Sequence, residues 1–307
     1  MVRASVIIPA RNAQATLGRT LACLAGQQTE VSFETIVVDD GSQDATAAVA
    51  EAAPGRVRVL RQRAEGPAAA RNLGVAESGG SALAFCDADC YPAADWLEAG
   101  VRALESYDLV QGRVVPEPGV PIGPYDRSLW IESEVGLWET ANLFVSRAFF
   151  DRAGGFEDWL RPVAGKAMAE DVWFGWRVSR LGLHAAFAED ALVHHAVFRR
   201  SAAEYVGERR RLRHFPEMAR KMPELRSRLF FARIFLSRRS AAADAAALGT
   251  IAAAALGSPW PLLAATPYAR MVGRGRGRRE AAAEVLADLV GMGALARGSA
   301  EARRPLL

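Results

Sequence analysis

Over the first two thirds of the chain, short runs of β-branched and aliphatic residues alternate with stretches of helical periodicity. Ser5, Val6, Ile7 and Ile8 form an apolar run stopped by Pro9, which suits a strand buried on both faces of a parallel sheet. The pattern then predicts a helix over 16–27, a strand over 33–38, a helix over 44–53 and a strand over 57–60. A further helix is opened by Gly66 and Pro67, the proline fitting a first helical position. Residues 81–86 read as a fourth strand. Strand–helix alternation of this kind predicts a three-layer α/β domain with a mostly parallel sheet. In such open sheets ligands sit at the carboxyl ends of the strands, and the acidic clusters Asp39-Asp40 and Asp87-Ala88-Asp89 fall there.

The pattern changes after about residue 197. Ser201 and Glu204 have the spacing of a capping box at a helix start. Between Arg199 and Arg239 there are thirteen Lys or Arg against four Glu, whereas 245–268 carries no charge. A glycine–arginine run over 270–279 and an alanine-rich helical pattern over 280–296 follow. The expected organisation is a catalytic domain over 1–205 and a helical region, rich in arginine and then apolar, over 206–307.

Composition changes this picture little. The 307 residues are half hydrophobic and a quarter charged, a globular balance. The net charge is +3, and the only lysines are Lys166 and Lys221. Cys23, Cys86 and Cys90 form no disulfide framework, which points to a reducing, cytoplasmic setting. No basic stretch leading into a long apolar run and a cleavage site opens the chain, so no signal peptide is expected.

Each candidate site residue also has an ordinary structural explanation. Asp87 and Asp89, just past a strand end, can hold a hard cation that bridges phosphate oxygens, or form a solvated turn. Asp40 can accept from a base N–H or a ribose hydroxyl, or make an Asx turn with Gly41 and Ser42. Arg71 suits a diphosphate or a carboxylate at the strand ends, or an exposed helix face. Glu170 and Asp171 open a helical stretch whose first turn favours acids through the helix dipole. Either acid could instead accept a proton from an acceptor hydroxyl. His194 and His195 end a strand-like segment at 191–193.

Taken in order, five segments resemble glycosyltransferase family 2, whose members have the GT-A fold. They are SVIIPARN (5–12), VVDDGSQD (37–44), GPAAARNLG (66–74), FCDAD (85–89) and AED (169–171). TANLFVSR (140–147) and GGF (154–156) are similar to the family's acceptor-side half. No one motif is decisive, but the ordered set is specific and spans roughly 4–196. The resemblance implies a GT-A-type, Rossmann-like sandwich that transfers a sugar, with inversion, from a nucleotide-diphosphate sugar to an acceptor hydroxyl. It implies that Pro9, Ala10, Arg11 and Asp40 line the nucleoside pocket, with Gly66, Arg71, Asp87 and Ala88 completing the donor site. Asp89 would ligate Mg²⁺ or Mn²⁺, with Asp87 and His195 as further metal ligands. His195 fits better than His194 because it keeps the spacing from Val193. Asp171 would be the catalytic base.

One departure matters. The family's processive synthases carry a Q-x-x-R-W motif, but the corresponding region here is ERRRLR (208–213). One or a few sugar additions are therefore expected, onto a carbohydrate or lipid-linked acceptor. Two other classes compete. A nucleotidyltransferase acting on sugar phosphates should carry a glycine-rich loop after its first strand, and Pro9-Ala10-Arg11-Asn12 supplies none. An arginine-rich nucleic-acid-binding protein would rest on 199–239 alone, and no nucleic acid is expected as a partner. The uncharged 245–268 run is long enough for a span but is broken at 257–261. It reads either as a shallow hairpin on an anionic membrane surface, peripheral on the inner face of the cell membrane, or as a helical pair packed within a protein or oligomer.

Overall fold

The computed structural model describes residues 2–160, 168–182, 184–272 and 277–307. Lys166 and part of the glycine–arginine run, 273–276, lie outside the described residues. The chain divides into two units, Met1–Pro121 with Ser128–Phe198, and Ile122–Arg127 with Arg199–Leu307.

The first unit begins β1 (Ala4–Ala10), α1 (Leu17–Ala25), β2 (Phe33–Asp40), α2 (Thr46–Glu51), β3 (Val57–Gln62), α3 (Pro67–Ala76) and β4 (Ala82–Cys86). It continues β5 (Cys90–Pro92), α4 (Trp96–Ala103), β6 (Leu109–Pro116), β7 (Asn142–Ser146), α5 (Arg147–Ala153), α6 (Glu170–Arg180) and β8 (Ala185–His195). One eight-stranded sheet has the order β3-β2-β1-β4-β7-β6-β8-β5. β1 pairs in parallel with both β2 and β4, and β2 with β3, whereas β7 runs antiparallel to β4 and β6. The chain builds outward from β1 to β3 and then crosses to the other side of β1 to form β4. The carboxyl ends of β1 and β4 thus flank the point where strand order reverses, where open α/β sheets bind ligands.

Side-chain alternation along the strands separates two cores. Val6, Ile8, Ala84 and Phe144 pack on one face with Leu17, Leu21 and Leu24 of α1 and Trp96 of α4. Ile7, Phe85, Leu143 and Val145 pack on the other face with Ala70, Phe150, Phe174 and Val178 of α3, α5 and α6. Burying one such large side chain contributes about 1.5–3 kcal/mol. Gly100 of α4 is required by close approach, since a Cβ there would lie 2.1 Å from the Phe144 ring.

The second unit contains α7 (Ala202–Glu208), a 3₁₀ turn (Arg209–His214), α8 (Phe215–Lys221), α9 (Leu225–Arg228), α10 (Arg238–Leu256), a second 3₁₀ turn (Trp260–Ala265), α11 (Thr266–Val272) and α12 (Arg278–Ala302). The expected capping box is present, with Ser201 Oγ accepting from the Glu204 amide. Much of the arginine-rich stretch is neutralised within the unit. Arg213 makes two 2.7 Å bonds to Glu301, and Arg239 lies 2.7 Å from Asp288 and 2.9 Å from Glu284. Among the described residues, no helix is long and apolar enough to cross a membrane.

Candidate active site

The loops leaving β1 and β2 are laced together by side chain–backbone bonds. The Asn12 amide donates to Ser42 Oγ, the Ala13 amide to Thr46 Oγ1, and Asn12 Oδ1 accepts from the Gln43 amide. Asn12 has a φ of 51°, a left-handed conformation that asparagine tolerates better than most residues. This lacing sets the turn that carries Pro9, Ala10 and the exposed Arg11. Asp40 is buried at the end of β2. Its carboxylate accepts from Gln62 Nε2 at 2.7 Å and from the Glu65 and Gly66 amides at 2.8 and 3.0 Å. It therefore anchors the β3–α3 loop, where Gly66 has a φ of 99° that a side chain would strain.

Arg71 is buried on α3 and turned inward. It donates to Asp87 Oδ1 and to Glu170 Oε1, each at 2.9 Å. Burial works against the charge, but Asp87, Glu170 and Asp171 outweigh it and hold the guanidinium above its ordinary pKa. One side chain thus ties the loop after β4 to the start of α6.

Asp89 and His195 meet for a topological reason. β5 and β8 pair antiparallel with Cys90 opposite His195 and Tyr91 opposite His194, so His195 comes beside Asp89. His195 Nδ1 lies 2.7 Å from the Ala196 carbonyl oxygen, which makes Nδ1 the protonated nitrogen. The Nε2 lone pair then faces Asp89 Oδ2 at 3.7 Å. A histidine oriented by a carbonyl on its far nitrogen is the arrangement usual in metal ligands. A divalent cation between them satisfies both atoms, and the nitrogen–oxygen donor pair fits Mg²⁺ or Mn²⁺. The ligand atoms of Asp89, Cys90 and His195 lie within 4.8 Å of one another. Burial, reinforced by Cys86, pushes the Cys90 thiol well up, so it stays protonated and does not suit a hard cation. Asp87 stands outside this cluster, turned toward Arg71, and buried Ala88 lends its carbonyl to Thr20 Oγ1 at 3.1 Å.

Ala169, just before Glu170, has a φ of 63°, a left-handed strain in a non-glycine residue at the start of α6. It directs Glu170 inward to Arg71. Burial and then the charge of Glu170 push the Asp171 carboxyl well above the usual range; Arg71 opposes this and Glu139 adds to it.

Glu139 was not expected from the sequence. It lies in the segment before β7, held where Gln111 Nε2 donates to the Glu139 carbonyl at 3.2 Å and the Asn142 carbonyl at 2.8 Å. Burial pushes its carboxyl up to about 7. A lone acid within the apolar LWETANLFV stretch was the available signal. In the unfolded chain Glu139 ionises near its ordinary 4.5, whereas the fold keeps it protonated to about 7. The folded state binds more protons in that window, so stability is lost as pH rises through it. Glu139→Gln is expected to match the wild type below the window and to exceed it above pH 7 by about 3 kcal/mol. Urea unfolding at the two pH extremes measures the difference.

Residues 5–156 match the family model "Glycosyl transferase family 2", and the chain belongs to glycosyltransferase family 2. The chain is similar to glycosyltransferase AglE of Haloferax volcanii, 33% identical over 203 residues, 61% of this chain and 65% of AglE. The matched region is thus under two thirds of the length of that relative. Among solved structures, the mannosyltransferase PcManGT of Pyrobaculum calidifontis, in complex with GDP-Man and Mn²⁺, aligns with a TM-score of 0.57 at 19% identity. The alignment covers 98% of this chain and 87% of that one. S. aureus TarS 1-349, in complex with UDP-GlcNAc, aligns with a TM-score of 0.54 at 18% identity, covering 98% and 92%. These likenesses establish the GT-A fold.

Proposed function

We propose that this protein transfers a sugar from a nucleotide-diphosphate donor to an acceptor hydroxyl with inversion, assisted by a divalent metal and without processive polymerisation. The observation that carries the reading is the pairing of Asp89 with a carbonyl-oriented His195 at the strand-order reversal. Complexes of structural neighbours with GDP-Man and Mn²⁺ and with UDP-GlcNAc support it.

The nucleoside lies over Pro9, Ala10 and Arg11, above the loop that Asp40 and Gly66 hold. Asp89 and His195, with Asp87 nearby, would hold a divalent cation, which when bound would supply Lewis-acid neutralisation of the departing diphosphate. Asp171 takes the acceptor hydroxyl proton as the acceptor oxygen bonds to the anomeric carbon. The bond from that carbon to the diphosphate breaks on the opposite face, which inverts the centre. Arg71 keeps the donor-side and acceptor-side acids in register. The protein then acts on the cytoplasmic side, where nucleotide sugars are the available donors.

The test is calorimetric titration of nucleoside diphosphates with and without Mn²⁺. In Asp89→Ala, the metal-dependent part of the affinity should vanish while the metal-free part persists, and transfer should be abolished. Metal-stimulated binding and turnover in a folded Asp89→Ala protein would overturn the reading.

A further inference from the structure

We propose that the end of the α10–α11 hairpin is a membrane-docking element that enters the headgroup region of an anionic bilayer without crossing it. Five apolar side chains there, Leu248, Ile251, Leu256, Trp260 and Leu263, are between 60% and 75% exposed. Large apolar side chains this exposed, concentrated within sixteen residues of one hairpin (248–263), mark an interaction surface rather than ordinary scatter. The hairpin is closed tightly, because Gly249 of α10 packs on the return segment and a Cβ there would lie 2.4 Å from the Pro261 carbonyl oxygen. The cluster is therefore presented on a preformed scaffold.

The polar groups of the tip point to lipid as the occupant. The Gly257 amide donates to the Ala253 carbonyl, the Ser258 amide to the same oxygen at 3.2 Å, and the Leu262 amide to Pro259 at 3.1 Å. Pro259 and Pro261 have no N–H to satisfy. The hydroxyls of Thr250 and Thr266 each donate to carbonyls of their own turns at 2.8 Å. A bilayer offers no hydrogen-bond partners in its apolar region, so backbone entering it must satisfy itself in this way. Charge fixes the lipid class. No acid occurs from 245 to 279, and Arg270, Arg274, Arg276, Arg278 and Arg279 follow the apolar run. Basic residues beside an apolar insertion favour anionic lipid, and salt screens the attraction. Trp260 is of the type that settles at the membrane–water boundary.

The full chain is sedimented with phosphatidylcholine vesicles with and without phosphatidylglycerol, at low and high salt. Binding is expected to require phosphatidylglycerol and to weaken with salt. Brominated phosphatidylcholine in the anionic vesicles should quench tryptophan emission in the wild type more than in Trp260→Phe. The Leu256→Asp and Leu263→Asp double variant should bind at least about tenfold more weakly. Its thermal unfolding and nucleoside diphosphate affinity should be unchanged, because both side chains already face water in a unit separate from the donor site. The proposal is overturned if the wild type stays in the supernatant with anionic vesicles, or if the double variant binds like the wild type. It is equally overturned if the hairpin proves to be a self-association surface, seen as a dimer that the double variant dissociates in the absence of lipid.

Discussion

An Asp171→Asn substitution is expected to lower turnover by about 10²–10⁴-fold, the usual worth of general-base assistance, with donor affinity little changed. The amide keeps the shape of the carboxylate but cannot usefully accept a proton. The structure makes this sharper than a loss of charge. A solvated aspartate is a weak base at neutral pH, but burial and the neighbouring acids raise Asp171 well above the ordinary range. That shift brings it closer to the working pH, where a base is most effective. Because the ionised form must act, wild-type activity should rise as pH climbs through an apparent pKa above that of an exposed carboxylate. Asp171→Asn should lose that rising limb. Glu170 and, less strongly, Glu139 act on the same carboxyl, so the measured value belongs to this group of acids rather than to one residue. Paired product-formation and calorimetric measurements separate the two roles. Turnover at the wild-type level would remove Asp171 as the base. Loss of nucleotide binding in proportion to activity would instead show that its role is donor binding.

The parallel half of the sheet was legible in the sequence because its strands are short apolar runs bounded by turns. β1, β2, β3 and β4 all lie within two residues of the positions that the pattern predicts. The antiparallel half was less legible. β6 carries Gln111 and Arg113, and β7 opens on the buried polar Asn142, so neither shows a clean apolar period. Asn142 accepts from Trp96 Nε1 at 2.8 Å and donates to the Ala191 and Arg113 carbonyls. A polar residue that is fully bonded in a core has no signature in hydropathy. Within the site, sequence order placed acids at strand ends but could not show which would meet. The approach of His195 to Asp89 depends on the β5–β8 register, and the inward turn of Arg71 depends on which face α3 buries. Glu139 escaped notice because its environment comes from Gln111 and α6, both distant in sequence. The six residues Ile122–Arg127, which pack with the second unit, had no distinguishing pattern at all.

Arg71→Met is expected to destabilise the protein by about 3–5 kcal/mol, the usual cost of removing one partner from a buried ion pair. The methionine fills much of the volume, so the loss is electrostatic rather than a cavity effect. Asp87 and Glu170 would each lose a 2.9 Å bond, and Glu170 acts directly on its neighbour Asp171. Removing the guanidinium also removes the larger of the influences that hold the Asp171 carboxyl down, so its pKa should climb further. Two readouts distinguish this from a general packing defect. Denaturant unfolding should show the full stability loss. In the fraction that remains folded, the rising limb of the pH–rate profile should move to higher pH. Arg71→Lys should fall between the two, because an ammonium restores the charge but cannot span two carboxylates with a planar fork. A fully stable Arg71→Met protein with an unmoved pH profile would show that the Asp87–Arg71–Glu170 bridge does not organise the site.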